Sequence, residues 1–274
     1  MATQTQSGYL NLDGGKLYYE VAGEGQPLLL AHAGFVDSGM WDAQWQAFSA
    51  QYRAIRYDMR GYGKSDPLPA PVVRREELEQ LLDHLGVERA ALLGSSLGGE
   101  IVVDFTLEHP DRVWALIPVS AVPGGFEMQG APPRYVMDMI AALQQDDFER
   151  VSDLQIRIWV DGMYREPEQV EAKVRQHAAA MNRIAVQNRT WGMDAEPPNP
   201  LDPPAAGRLG SIGVPTLVIA GALDHPELLR AAAVMAGAIK GAKKVIIDGA
   251  AHVPNMEHPA TFNRAVLDFL GALR

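Results

Sequence analysis

Ala90-Ala91-Leu92-Leu93-Gly94-Ser95-Ser96-Leu97-Gly98-Gly99-Glu100-Ile101-Val102-Val103 is the stretch on which the reading of this chain turns. It opens as a short apolar run of strand type, passes through Gly-x-Ser-x-Gly, and continues as a buried helix through Asp104 and Phe105. A turn this sharp holds its serine in a strained backbone conformation, and Gly94 and Gly98 stand where a side chain would clash. The Ser96 hydroxyl is then expected at the carboxyl end of a sheet, over the positive end of the following helix. Ser95 does not fit that role, because Leu93 and Leu97 occupy the places of its flanking glycines. Taken alone, a Gly/Ser turn between a strand and a helix is ordinary, so the weight falls on what surrounds it.

Working outward, strand runs alternate with helical ones. Tyr9–Leu12 and Lys16–Val21 flank Asp13-Gly14-Gly15, a hairpin signal. Pro27–His32 is an unbroken apolar run, as in a strand covered on both faces. A helix over Trp41–Ala50, a strand over Ala54–Asp58, a turn-rich loop over Met59–Pro67 and a charged helix over Val72–Leu85 lead into the elbow. Ala115–Ser120 reads as a strand despite its proline. From Val122 to Pro204 helical periodicity dominates between proline-rich ends, and alternation then resumes with Pro215–Gly221, Glu227–Ile239, Lys244–Asp248 and a last helix through Phe262–Leu270. The pattern predicts an α/β fold with a mostly parallel sheet and helices on both faces. Residues 1–121 and 205–274 form its core, and residues 122–204 form an inserted helical subdomain.

Composition narrows the function classes. The 274 residues carry a formal net charge of -10, and no basic stripe suggests a nucleic-acid or anionic-membrane partner. The absence of cysteine excludes disulfides, thiolate catalysis and Cys-ligated zinc. Met1–Ser7 has neither the basic start nor the apolar core of a signal peptide, and no apolar run approaches the ~18 residues of a bilayer span. A cytoplasmic setting is expected; a homodimer is left open.

An unaided serine hydroxyl is a poor nucleophile, so a base must take its proton and a third group must orient that base. His252 is the best placed of the seven histidines, following the strand Val245–Asp248 after a small-residue loop. His84, His109 and His258 sit on or at the ends of amphipathic helices and are expected in solvent. Asp224 follows Leu217–Leu223, again past the carboxyl end of a strand, and is the expected orienting acid; Glu257 and Asp248 are its nearest rivals. Capping of the next helix is the plainer role for such an aspartate. An acyl-transfer oxyanion needs two preorganised N–H donors. Leu97 should supply one; the loop His32-Ala33-Gly34-Phe35 should supply the other, from Gly34 first or else Phe35. His32 is expected to shape that loop by a structural hydrogen bond.

The order Ser96, Asp224, His252, with the elbow Gly94–Gly98, resembles the α/β-hydrolase superfamily. Asp58–Asp66 resembles that family's loop after the fourth strand, and Gly249–Pro259 resembles its histidine loop. The likeness covers the chain apart from the insertion. It implies an eight-stranded sheet, with the insertion after the sixth strand serving as a cap over the active site, and it is closest to the branch of enol-lactonases, small carboxylesterases and carbon-carbon bond hydrolases. One departure is that Ala33 replaces the glycine usual after the histidine of the third-strand loop, with Gly34 next, which implies a roomier acyl pocket or one filled by Phe35.

Within the insertion, Met128, Met137, Met139, Met163, Met181 and Met193, with Trp159 and Trp191, suit either an adaptable apolar cavity or packing of the insertion onto itself. Phe35, Trp159, Met163 and Val253 are the candidate substrate-binding residues. The expected activity is that of a cofactor-free serine hydrolase cleaving a carboxylic ester or lactone of a small, mainly apolar substrate through an acyl-enzyme on Ser96, without a metal. A carbon-carbon bond hydrolase or a cofactor-free perhydrolase could use the same three residues, and a slow-turnover small-molecule receptor is the non-enzyme alternative. Dehalogenases and epoxide hydrolases would need a carboxylate in place of Ser96.

Overall fold

Asp13 and Gly14 close the hairpin between β1 (Gln6–Leu12) and β2 (Gly15–Ala22), as their turn chemistry predicts. The computed structural model describes residues 4–190 and 198–274. In it the chain continues through β3 (Pro27–Ala31), α1 (Asp42–Ser49), β4 (Arg53–Asp58), α2 (Arg74–His84), β5 (Ala90–Ser95), α3 (Leu97–Glu108) and β6 (Val113–Val119). After β6 come α4 (Val136–Gln144), α5 (Phe148–Ile156) and α6 (Ala172–Gln187). The alternation then resumes with β7 (Leu217–Gly221), α7 (Pro226–Ala238), β8 (Lys243–Ile247), the single turn α8 (Pro254–Glu257) and α9 (Pro259–Gly271). One eight-stranded sheet runs β1-β2-β4-β3-β5-β6-β7-β8, with β2 antiparallel to both neighbours and the remaining pairs parallel.

The apolar runs of β3 and β5 are explained by coverage on both faces. Leu29, Ala31, Ala90 and Leu92 point into the core beneath α2, α3 and α7, whereas Leu28, Leu30, Ala91 and Leu93 point into the opposite core with α1 and α9. Successive residues of a strand face opposite sides, so such a strand cannot alternate with polar residues. Burying each leucine is worth about 1.5–3 kcal/mol. Pro118 is tolerated in β6 because the β6–β7 ladder breaks around it. Leu116 N–H donates to Pro215 O and Ser120 N–H to Ile219 O; Pro118, between them, has no N–H to give.

The segment between β6 and β7 is seated on the sheet domain by apolar packing and by side chains of α6. Ile156, Val160, Val174, Ala178 and Met181 join the core that holds Phe35, Val36 and Met40, while Met139, Val151, Leu154 and Ile158 form a separate small core between α4 and α5. His177 Nε2 lies 3.0 Å from Gly39 O, Asn182 donates to Phe35 O, and Asn188 and the nearby Thr190 both donate to Gly61 O. Trp191 and Met193 lie outside the described residues. Of the other methionines named above, Met139 and Met181 are buried, Met163 is half-buried, and Met128 and Met137 are exposed. Among the described residues, no helix is long and apolar enough to cross a membrane.

Candidate active site

Ser96 joins β5 to α3 at φ 52° and ψ -117°, outside the region that a side chain favours. The two glycines around it are dictated by close backbone approach: a Cβ on Gly94 would overlap Gly98 O, and one on Gly98 would lie 2.5 Å from Ala31 O. Ser96 is half-exposed at the start of α3, whereas Ser95 is fully buried and its Oγ has no hydrogen-bond partner. Only the first of these two hydroxyls is accessible to a ligand.

His252 and Asp224 meet at the same edge of the sheet, in the loops after β8 and β7. His252 Nδ1 lies 3.1 Å from both Asp224 oxygens, and both residues are almost wholly buried. A carboxylate only accepts, so Nδ1 carries the hydrogen and Nε2 presents its lone pair. Nε2 is buried and makes no hydrogen bond, Ser96 Oγ included. Catalytic hydrogen bonds are often long before substrate binds. Asp224 also accepts the His225 N–H, but the cap of α7 is His225 itself, whose Nδ1 takes the Glu227 N–H. Asp224 is thereby relieved of the capping role and serves His252.

The two rival acids are engaged or remote. Asp248 is exposed. Glu257 accepts the Ala251 N–H at 2.7 Å and pairs with Arg165 at 2.6 Å; burial pushes its carboxyl up, against the pull of Arg165. Arg165 also donates to Gly249 O, Asp161 O and Val160 O, so this pair ties the insertion to the histidine loop.

The loop after β3 approaches from the opposite side. His32 is fully buried and held between two backbone groups: its Nε2 accepts the Met59 N–H, and Nδ1 faces Ala33 O at 2.9 Å. Gly34 abuts the elbow, since a Cβ there would sit 3.0 Å from Leu97 Cδ2; Tyr62 donates to its carbonyl. The N–H groups of Gly34, Phe35 and Leu97 make no hydrogen bond among the described residues. Phe35 and Trp159 flank the imidazole, with ring centroids 6.3 Å and 4.8 Å from that of His252. Val253 is fully buried, in the core that also holds Phe35, Met40 and Phe262.

Two hollows are walled by the insertion. The larger, about 540 Å³, runs between α5 and α6 and is lined in part by Glu149, Asp153, Arg175 and Arg183. The smaller, about 130 Å³, is mainly apolar and includes Gly34. The first is the larger, whereas the second adjoins the loop after β3. Gln155, Asn182 and Arg165 are the residues that sequence reasoning missed here. The available signal was a polar side chain on an otherwise apolar stripe: Asn182 with Ala178, Met181 and Ala185, and Gln155 with Val151, Leu154 and Ile158. No group of three or more His, Cys, Asp or Glu side chains is arranged to hold a metal ion among the described residues.

Comparison with known proteins agrees with the fold. A sequence profile for the alpha/beta hydrolase fold matches residues 26–259. A pimeloyl-[acyl-carrier protein] methyl ester esterase from Yersinia enterocolitica is 28% identical over 261 residues, covering 93% of this chain and 97% of its own. A 2-hydroxy-6-oxononadienedioate/2-hydroxy-6-oxononatrienedioate hydrolase from Paraburkholderia phymatum is 29% identical, covering 97% and 96%. The crystal structure of an enol-lactonase from Burkholderia xenovorans superposes with a TM-score of 0.78 at 26% identity, over 96% of this chain and all (100%) of the other.

Proposed function

The chain belongs to the α/β-hydrolase family, and from that membership we propose that it is a serine hydrolase acting on a carboxylic ester or lactone of a small, mainly apolar molecule. The observation that carries this reading is the half-exposed Ser96 at its strained elbow, with the His252–Asp224 pair at the same sheet edge.

In this reading Ser96 Oγ attacks the substrate carbonyl while His252 Nε2 takes its proton. Asp224 holds the imidazole by Nδ1 and stabilises the cation formed. The carbonyl oxygen, now negative, is received by the N–H of Leu97 and by that of Gly34 or Phe35; losing one such donor costs about 10²–10³ in rate. His252 then gives its proton to the departing alkoxide. An acyl-enzyme on Ser96 remains, and water activated by the same imidazole releases it. Residues 122–204 serve as a cap, and Trp159 and Phe35 wall the reacting centre.

The esterase and enol-lactonase among its relatives support ester and lactone substrates; the dienedioate hydrolase makes carbon-carbon cleavage the second reading. A panel of esters, lactones and diketones, each run beside Ser96→Ala, separates them. Esters or lactones should turn over with wild type and not with the variant. Turnover of diketones alone would favour the second reading, and equal turnover by Ser96→Ala would refute both.

A further inference from the structure

We propose that Gln155 is a specificity-determining hydrogen-bond donor, and that the preferred acyl group is an aliphatic chain carrying a further carbonyl oxygen. The proposal rests on the ester or lactone reading above and specifies its substrate.

Two buried amides fix each other's orientation. Asn182 is fully buried, and one end of its side chain lies 2.7 Å from Phe35 O and 2.6 Å from the Gln155 side-chain oxygen. A backbone carbonyl only accepts, so the end facing Phe35 O must be the NH2 group. The second hydrogen of that NH2 must then meet an acceptor, which makes the near atom of Gln155 its oxygen. Nε2 of Gln155 is therefore turned the other way, and it has no partner among the described residues.

Gln155 is 2% exposed, yet it lines the 130 Å³ cavity together with Gly34. Most of the other walls are apolar: Met139, Leu143, Val151, Ala185 and Val186. The remaining polar wall, Arg189, is an exposed side chain paired with Asp146 at 2.8 Å. A plain alkyl chain in this cavity would leave the Gln155 N–H groups shut from water without an acceptor, which is costly. A carbonyl oxygen on the chain supplies the acceptor. Because Asn182 also grips Phe35 O, the donor is held rigidly against the loop that carries Gly34 and Phe35. A neutral amide donor can serve an uncharged carbonyl oxygen without requiring a carboxylate.

The test compares p-nitrophenyl pentanoate and hexanoate with p-nitrophenyl 4-oxopentanoate and 5-oxohexanoate, each rate normalised to hydroxide hydrolysis. For wild type, kcat/KM for at least one oxo ester should exceed that of its alkyl partner by about tenfold, the upper end of what one hydrogen bond confers. Gln155→Met removes the donor at similar volume. Gln155→Glu, assayed at pH 8, keeps the acceptor for Asn182 and so guards against misfolding in the first variant. Both should bring the oxo-to-alkyl ratio to one or below, whatever their effect on the alkyl esters alone. A wild-type ratio near one, a ratio that survives both substitutions, or a parallel fall for all four esters overturns the role of Gln155. Turnover of all four esters by Ser96→Ala would instead overturn the serine reading beneath it.

Discussion

The imidazole of His252 faces the carboxylate of Asp224 symmetrically, with Nδ1 at 3.1 Å from each oxygen. Both residues come from loops at the carboxyl ends of neighbouring parallel strands, β8 and β7, whose pairing extends from Leu217–Lys243 to Gly221–Ile247. The sheet register therefore brings together two residues 28 positions apart in sequence. Asp224→Asn should lower kcat by about 10³–10⁴, because an amide can offer N–H where Nδ1–H needs an acceptor and so stabilises the wrong tautomer. Circular dichroism and the melting temperature should stay close to wild type. A wild-type kcat would transfer the acid role elsewhere.

The Arg165–Glu257 pair, with side chains only 10% and 6% exposed, links the insertion to the histidine loop. Arg165→Met strands a buried carboxylate and should cost about 3–5 kcal/mol in urea unfolding. Arg165→Met with Glu257→Gln should recover much of that loss, since the amide introduced by the second substitution keeps an acceptor oxygen for Ala251 N–H without a charge. Additive losses in the double variant would show that the two residues do not act as a pair.

Asp104, on α3, has one carboxylate oxygen buried without a partner, and burial raises its pKa to about 6, with Glu108 adding to the rise and Arg75 and Arg208 opposing it. A raised folded-state pKa means that the folded protein holds this proton more tightly than the unfolded chain. Between the usual carboxylate value of about 4 and about 6, stability therefore falls as pH rises, and below about 4 the difference vanishes. Asp104→Asn should stabilise the fold by about 1 kcal/mol at pH 8, the full shift being discounted for partial exposure, and have no benefit at pH 3.5. Melting curves at the two pH values check this; an equal gain at both would contradict it.

The elbow was legible because backbone crowding at Gly94 and Gly98 leaves a mark in the sequence itself, and the strands because coverage on both faces demands unbroken apolar runs such as Leu28-Leu29-Leu30. The expected eight-stranded, mostly parallel sheet is the one observed. Short-range capping was less legible: Asp224 stands where a cap is expected, but His225 takes that task. Least legible were pairs set by tertiary approach, such as Arg165 with Glu257 across 92 positions, or Asn182 with Phe35 across 147. Periodicity places each residue on a face, but which polar atom meets which carbonyl depends on how α5 and α6 settle onto the sheet.

The most direct measurement is the site of covalent capture by a fluorophosphonate, read by peptide mass spectrometry. A single adduct on Ser96 is expected, blocking ester turnover in proportion to labelling and absent from Ser96→Ala. An adduct on another residue, or turnover that survives complete labelling of Ser96, would contradict the account.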